Sequence, residues 1–159
     1  MGTSPGRQPY PRQPRQTYQN QDGLPKDLLE KIQLNRPDAE LFDNTAKQIA
    51  ERLNQAPKEA NKSAQLRRFF DELVMWFEKA QSAGEKDQQD QRTNEILPLI
   101  RMINAKAAYA HGRKLVTPDF TSFLTRCLQQ IKNFETLKNS KLLFEAVLGF
   151  RKSLEKAGD

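Results

Sequence analysis

Apolar side chains in this chain recur at helical spacing and almost never alternate, and that regularity decides the fold class. Leu66, Phe69, Phe70, Leu73, Phe77 and Ala80 lie three or four residues apart, which sets them on one face of an α-helix. The same period returns in Phe42, Ala46, Ile49 and Leu53, and again in Ile96, Leu99, Ile100, Ile103, Ala107 and Ala110. It is seen twice more, in Phe120, Phe123, Leu124, Cys127, Leu128 and Ile131 and in Leu143, Ala146, Val147, Phe150 and Leu154. No Asn-Gly or Asp-Gly turn joins two β-branched runs, so nothing predicts a hairpin. The expected fold is all-α, a compact bundle of five to six helices.

Helix breakers place the boundaries. Pro25 suits the first turn of a short helix running towards Leu34 and stopping before Pro37, because the residue ahead of a proline disfavours helical backbone. A second helix is expected over 38–55, followed by the separator Pro57 to Asn61. The third, over 64–82, takes Ser63 as N-cap. Gly84 and the polar run Glu85 to Gln91 predict a mobile loop, and Gly112 ends the fourth helix. Thr117 and Pro118 mark the cap and first position of the fifth, and the sixth spans 136–156. Four of the nine prolines fall in residues 1–23, which offer no aliphatic side chain before Leu24. That segment is expected to be a disordered tail ahead of a single domain over 24–157. Its Arg7, Arg12 and Arg15 could touch RNA and its Tyr10 and Tyr18 could stack, although a merely solvated tail is the simpler reading.

Charge narrows the partners. Residues 1–96 hold 15 basic and 15 acidic side chains, whereas 97–159 hold 11 and 5, so the whole net charge of +6 arises in the C-terminal part. Such an excess fits phosphates, and equally acidic proteins or anionic lipid. Cys127 is the only cysteine, which rules out an internal disulfide or a cysteine-based zinc site and suits a reducing, cytoplasmic setting. No apolar run of about 18 residues is present to span a membrane, and the N-terminus lacks a signal-peptide core.

Reactive groups are scarce. His111 is the only histidine, and no phosphate loop, His-Glu-x-x-His or Gly-x-Ser-x-Gly motif occurs. Asp71 and Glu72, adjacent on a helix, point apart. The chain is expected to be no enzyme and to need no cofactor, with a metal-dependent nuclease of scattered carboxylates as an alternative.

Basic residues are better arranged. Lys138, Lys141, Lys152 and Lys156 cluster on the last helix opposite Leu143, Val147 and Phe150, interrupted by Glu145. Lysines so spaced can follow a nucleic-acid backbone without reading bases, though the same stripe also serves simply to solvate a helix. Arg67-Arg68 open the third helix. Arg113-Lys114 follow the fourth, where a cation also interacts favourably with the helix dipole or joins a buried ion pair. His111 reads as a capping or partly buried histidine ahead of a nucleotide ligand. Phe69, Phe70 and Phe77 read as core, with Trp76 at its margin.

Three stretches carry a resemblance: Ser63-Ala64-Gln65-Leu66-Arg67-Arg68-Phe69-Phe70, Tyr109-Ala110-His111-Gly112-Arg113, and Glu135-Thr136-Leu137 leading to Phe144-Glu145-Ala146-Val147 and Lys152. In order and spacing they resemble the helical small subunit of type III-A CRISPR effectors, the Csm complex, over roughly residues 62–152. Ala64 stands where that family commonly has a hydroxyl residue, and Ser140 where a bulky one is usual.

The resemblance implies a subunit without nuclease activity that stacks in more than one copy. With the large subunit, these copies would line the path of guide RNA and target RNA, while a repeated backbone subunit cleaves the target. It implies Arg67, Arg68 and Arg113 as RNA-facing residues, with Lys141 and Lys152 as further candidates, and Lys114 joins them by its place beside Arg113. Sequence recognition would be left to base pairing. The alternative of a different class is a helical protein-interaction module whose basic surface takes acidic partners.

Overall fold

The computed structural model describes residues 2, 3, 6 and 23–157, the last two of these as backbone only. The tail residues Arg7, Tyr10, Arg12, Arg15 and Tyr18 and the Lys156 side chain lie outside the described residues. Every regular element among the described residues is helical. In order they are α1 (Lys26–Glu30), a π-helical turn (Leu41–Thr45) running into α2 (Ala46–Asn54), α3 (Ser63–Gln81), α4 (Lys86–Arg101), α5 (Ile103–Gly112), α6 (Pro118–Gln130) and α7 (Phe134–Ala157). Only Met102 separates α4 from α5, so the seven segments make six helical rods.

α7 is the central helix. It lies against α2 and α3 and also reaches α4, α6 and the π-helical turn. An aromatic cluster fills the middle: the Phe144 ring centre is 5.5 Å from those of Phe70 and Phe123 and 6.1 Å from that of Phe120. Tilted and edge-to-face pairs of this kind add to the burial of each ring. The pairs Phe70–Phe144 and Phe77–Phe134, with the contact of Ser63 to Arg151, show that α3 and α7 run antiparallel.

The apolar faces of α3 and α6 are buried as the spacing predicts, Cys127 included. Burial pushes the Cys127 thiol up to about 12, against smaller opposing effects of Ser140 and Arg126, which leaves it an inert core group. Elsewhere the structure corrects the expectations. α1 stops at Glu30, and the chain reaches Leu34 by turns whose carbonyls are bound from α6: Arg126 donates to the Leu29 and Ile32 carbonyls and Gln130 to that of Ile32. The π-helical turn shifts the register of the second helix, so Leu41 is buried and Phe42 only half-buried.

The polar run after Gly84 is not a loop but the N-cap and first turns of α4. Glu85 and Gln88 form a reciprocal capping box there, satisfying backbone donors that apolar periodicity cannot register. Leu99, expected in the core, is 46% exposed, because the buried face runs through Thr93, Ile96, Ile100, Ile103, Ala107 and Ala110 and leaves Leu99 at its edge.

Caps differ as well. Ser63 is the first residue of α3 rather than its cap, and its hydroxyl turns to Arg151 and Glu155. Thr117 holds the N-cap position of α6, but its hydroxyl accepts a hydrogen bond from Asn61 (2.8 Å) instead of capping. Gly112 is the last residue of α5, and the left-handed position beyond it belongs to Lys114, at φ 61°. Lys114 N–H bonds the His111 carbonyl and Leu115 N–H that of Ala110, both at 2.9 Å, a Schellman closure made without glycine.

On α7 the buried face is Thr136, Leu137, Asn139, Ser140, Leu143, Phe144, Val147 and Arg151, while Ala146, Phe150 and Leu154 are half-buried. The helix starts at Phe134, behind a reciprocal pair in which Thr136 N–H donates to Asn133 Oδ1 and Asn133 N–H to Thr136 Oγ1. A helix with neighbours on several sides buries polar positions that find partners, so its inward face is wider than its apolar stripe.

Candidate nucleic-acid interface

One end of the bundle gathers most of the cations singled out above. There α2, α5 and α7 finish and α3 and α6 begin, held together by Asn61, which is fully buried at φ 55°. Its side-chain amide donates to the Leu53 carbonyl (3.2 Å) and accepts from Thr117 N–H (3.0 Å), and its own N–H donates to the Leu115 carbonyl (2.9 Å). The Arg113–Lys114 corner is thereby pinned beside the start of α3, which carries Arg67 and Arg68. From α7, Lys152 joins Arg67 across a groove of about 630 Å³ that Ser63 and Glu145 also line.

The side chains differ in how free they are. Arg67 is 65% exposed, with Nε 3.2 Å from Asp71 and its guanidinium 5.4 Å from the centre of the Phe70 ring. Arg113 lies exposed against Tyr109, donating to its hydroxyl at 3.0 Å. Among the described residues Arg68, Arg113 and Lys114 have no carboxylate partner. Lys152 is 67% exposed and only 3.8 Å from Glu155, a weak tie.

Lys141 is set apart. It lies eleven residues before Lys152, about 16 Å along the helix axis. Its ammonium is bound 3.2 Å from Glu145 and 5.5 Å from the Phe77 ring centre, and its side chain is only 24% exposed. Lys138 stays exposed on the same helix. His111 is exposed rather than capping or partly buried, and Trp76 is half-buried at the core margin.

Several cations of the chain are structural. Arg52 pairs with the buried Asp119 at 3.2 Å, Arg126 ties down the segment after α1, and Arg151 is buried with Ser63 and Glu155. Two of the eleven C-terminal cations thus face inward. Lys58 and Lys62 stand on the basic end beside Ser63 and Arg151, Lys62 within 2.8 Å of Glu59. No periodicity marks them, and only the fold of the loop after Pro57 brings them there.

Glu155 carries a pH dependence. Burial raises its carboxyl, but hydrogen bonds from Ser63 and Arg151 and the charges of Arg151 and Lys152 outweigh that and hold it below the ordinary 4.5. A depressed folded value contributes stability above about pH 4.5 and loses it as pH falls through the lowered value. Urea midpoints should therefore drop between about pH 5 and pH 3, and drop less in Glu155→Gln. Equal drops would show that this carboxylate contributes nothing.

Among the described residues no three His, Cys, Asp or Glu side chains converge to hold a metal ion, and no helix is long and apolar enough to cross a membrane. No curated protein and no solved structure matches the chain. A family model described as Csm2 Type III-A matches residues 36–157, about three quarters of the chain. That span takes in the whole basic end and all three motif stretches, leaving residues 1–35, with α1, and the last two residues outside. The chain belongs to the Csm2 Type III-A family and is a small subunit of the type III-A CRISPR effector, the Csm complex.

Proposed function

We propose that this chain is a non-catalytic RNA-binding subunit, lining the path of guide RNA and target RNA within the prokaryotic cytoplasm and gripping phosphates rather than reading base edges. The observation that carries this reading is the basic end of the bundle, where exposed Arg68, Arg113 and Lys114 have no carboxylate partner among the described residues and stand beside Arg67 and Lys152. Cations left unpaired on a rigid surface release counterions when they meet a phosphate backbone. Lys114 is held in left-handed backbone, a strained conformation for a side chain with a Cβ. Lys141 extends the basic surface along α7 but is partly neutralised by Glu145. The chain's partners are the large subunit, the repeated backbone subunit that cleaves the target, and neighbouring copies of itself.

Binding of the purified chain to a labelled single-stranded RNA of about 40 nucleotides, measured across a salt series, tests this. Affinity should fall with salt at about 0.7 logarithmic units per phosphate contact. The double reversal Arg67→Glu/Arg113→Glu should weaken binding at least about tenfold and flatten the slope. An unchanged slope in that variant would move the RNA contact elsewhere. Shortening of the RNA on incubation with a divalent metal would sink the non-catalytic part.

A further inference from the structure

The groove between α3 and α7 has the form of a site for more than a phosphate. Because the two helices run antiparallel, its parts follow in a fixed order. Lys152 lies at the Ser63 end, Arg67 faces Leu148 and Gly149 in the middle, and Glu145 stands at the Phe70 end. From Lys152 to Glu145 is seven residues, about 10 Å along the axis. The groove cations thus occupy one end and the middle, Lys152 weakly tied to Glu155 at 3.8 Å and Arg67 held by Asp71, while Glu145 at the other end is paired with Lys141.

The floor is apolar and small. Ala64 and Gly149 are exposed in it, and Leu148 is half-buried. A Cβ added at Gly149 would meet nothing within 4 Å, so the packing of the fold makes no demand for glycine there. Glycine in a helix interior weakens it relative to alanine, and the effect of this one is an open hollow over the middle of α7. A phosphate gains nothing from such a floor, and at the far end Lys141 is already bound to Glu145. A flat, largely apolar group fits better, and a volume of about 630 Å³ is in the range of small-ligand sites.

Arg67 is oriented for such a group. Asp71 takes its Nε at 3.2 Å, and Phe70 lies beneath its guanidinium. A guanidinium held in this way can stack on a nucleobase as well as meet a phosphate. The N-terminus of α3 has no side-chain cap, so its first amides add positive potential at the Lys152 end.

We propose that this groove takes up one unstacked nucleotide of single-stranded RNA, its phosphate at Lys152 and its base on Gly149, Leu148 and the Arg67 guanidinium. The inference rests on the RNA-binding reading and adds a base-sized site to it. Stacking of this kind is sequence-tolerant, since every base offers a flat face. It therefore requires the presence of a base without selecting its identity.

The test compares an oligouridine with an abasic ribose-phosphate strand of equal length, each titrated against the full chain at low salt. The wild type should bind the oligouridine at least about fivefold more tightly. Gly149→Leu fills the hollow from α7 and Ala64→Leu fills it from α3. Each should bring the two strands to equal affinity, and either variant suffices if the other fails to fold. Equal affinities in the wild type, or an advantage that survives both fillings, would overturn the nucleotide site while leaving the phosphate-binding reading intact. The groove would then suit an apolar side chain of a neighbouring subunit instead. Failure of both strands to bind would overturn the site and that reading together.

Discussion

Phe144→Ala should lower the unfolding free energy by about 3–5 kcal/mol, a large share of the roughly 5–15 kcal/mol that holds a domain of this size. Phe144 is 1% exposed at the meeting point of Phe70, Phe120 and Phe123, on the helix that touches most others. Removing its ring forfeits the transfer of that surface from water. It also opens a cavity walled by three aromatic rings from α3 and α6, and stiff rings on separate helices collapse poorly into a void. Phe150→Ala offers the comparison, since that residue on the same helix is only half-buried at the edge of the core and should lose clearly less. Urea unfolding followed by circular dichroism measures both. A loss at Phe144 no greater than that at Phe150 would remove the cluster from the centre of the fold.

At Asn61 the expected loss is about 3 kcal/mol for Asn61→Ala, and it has two separable causes. The first is hydrogen bonding, because the Leu53 carbonyl and the Thr117 N–H lose buried partners. The second is backbone, since asparagine tolerates φ 55° and alanine pays about 1 kcal/mol to stay there. Asn61→Gly keeps the backbone at ease while losing the same bonds, so it should be the more stable variant by about 1 kcal/mol. Both substitutions free the Thr117 N–H from Asn61 Oδ1 but keep the backbone bond from the N–H of position 61 to the Leu115 carbonyl, so amide exchange should quicken at Thr117 and stay unchanged at Leu115, whose own N–H is held by Ala110. If alanine and glycine are equally stable, the left-handed backbone is immaterial. If Thr117 exchanges no faster, the Asn61 side chain does not hold the start of α6.

These two residues mark how far sequence reading reaches. Phe144 carries a strong apolar signal, yet the stripe drawn from Leu143, Val147, Phe150 and Leu154 centres on a neighbouring face. Arg151, Asn139 and Ser140, which share the true inward face, read as solvent-facing in any hydropathy pattern. Asn61 belongs to a polar stretch that looks like a plain linker. The same blindness turned the α4 capping box into a loop, since Glu85 and Gln88 act through backbone hydrogen bonds rather than burial. For the candidate interface, Arg67, Arg68 and Arg113 are visible as basic pairs at helix ends. Their nearness to Lys152, and the isolation of Lys141, depend on how α3 and α7 are set side by side.

The sequence by itself determined that the chain is helical, where α3 and α6 lie and which faces of them are buried, and which family it belongs to. Helical periodicity is a local property, expressed within three or four residues whatever the rest of the chain does. The tertiary structure alone decided which cations serve the surface and which the interior, and which polar residues are buried. Those outcomes depend on partners remote in sequence, as when Asn139 donates to the Leu34 carbonyl 105 residues away, at 2.8 Å. A buried polar group is tolerated only where such a partner arrives, and its arrival is settled by the packing of whole helices.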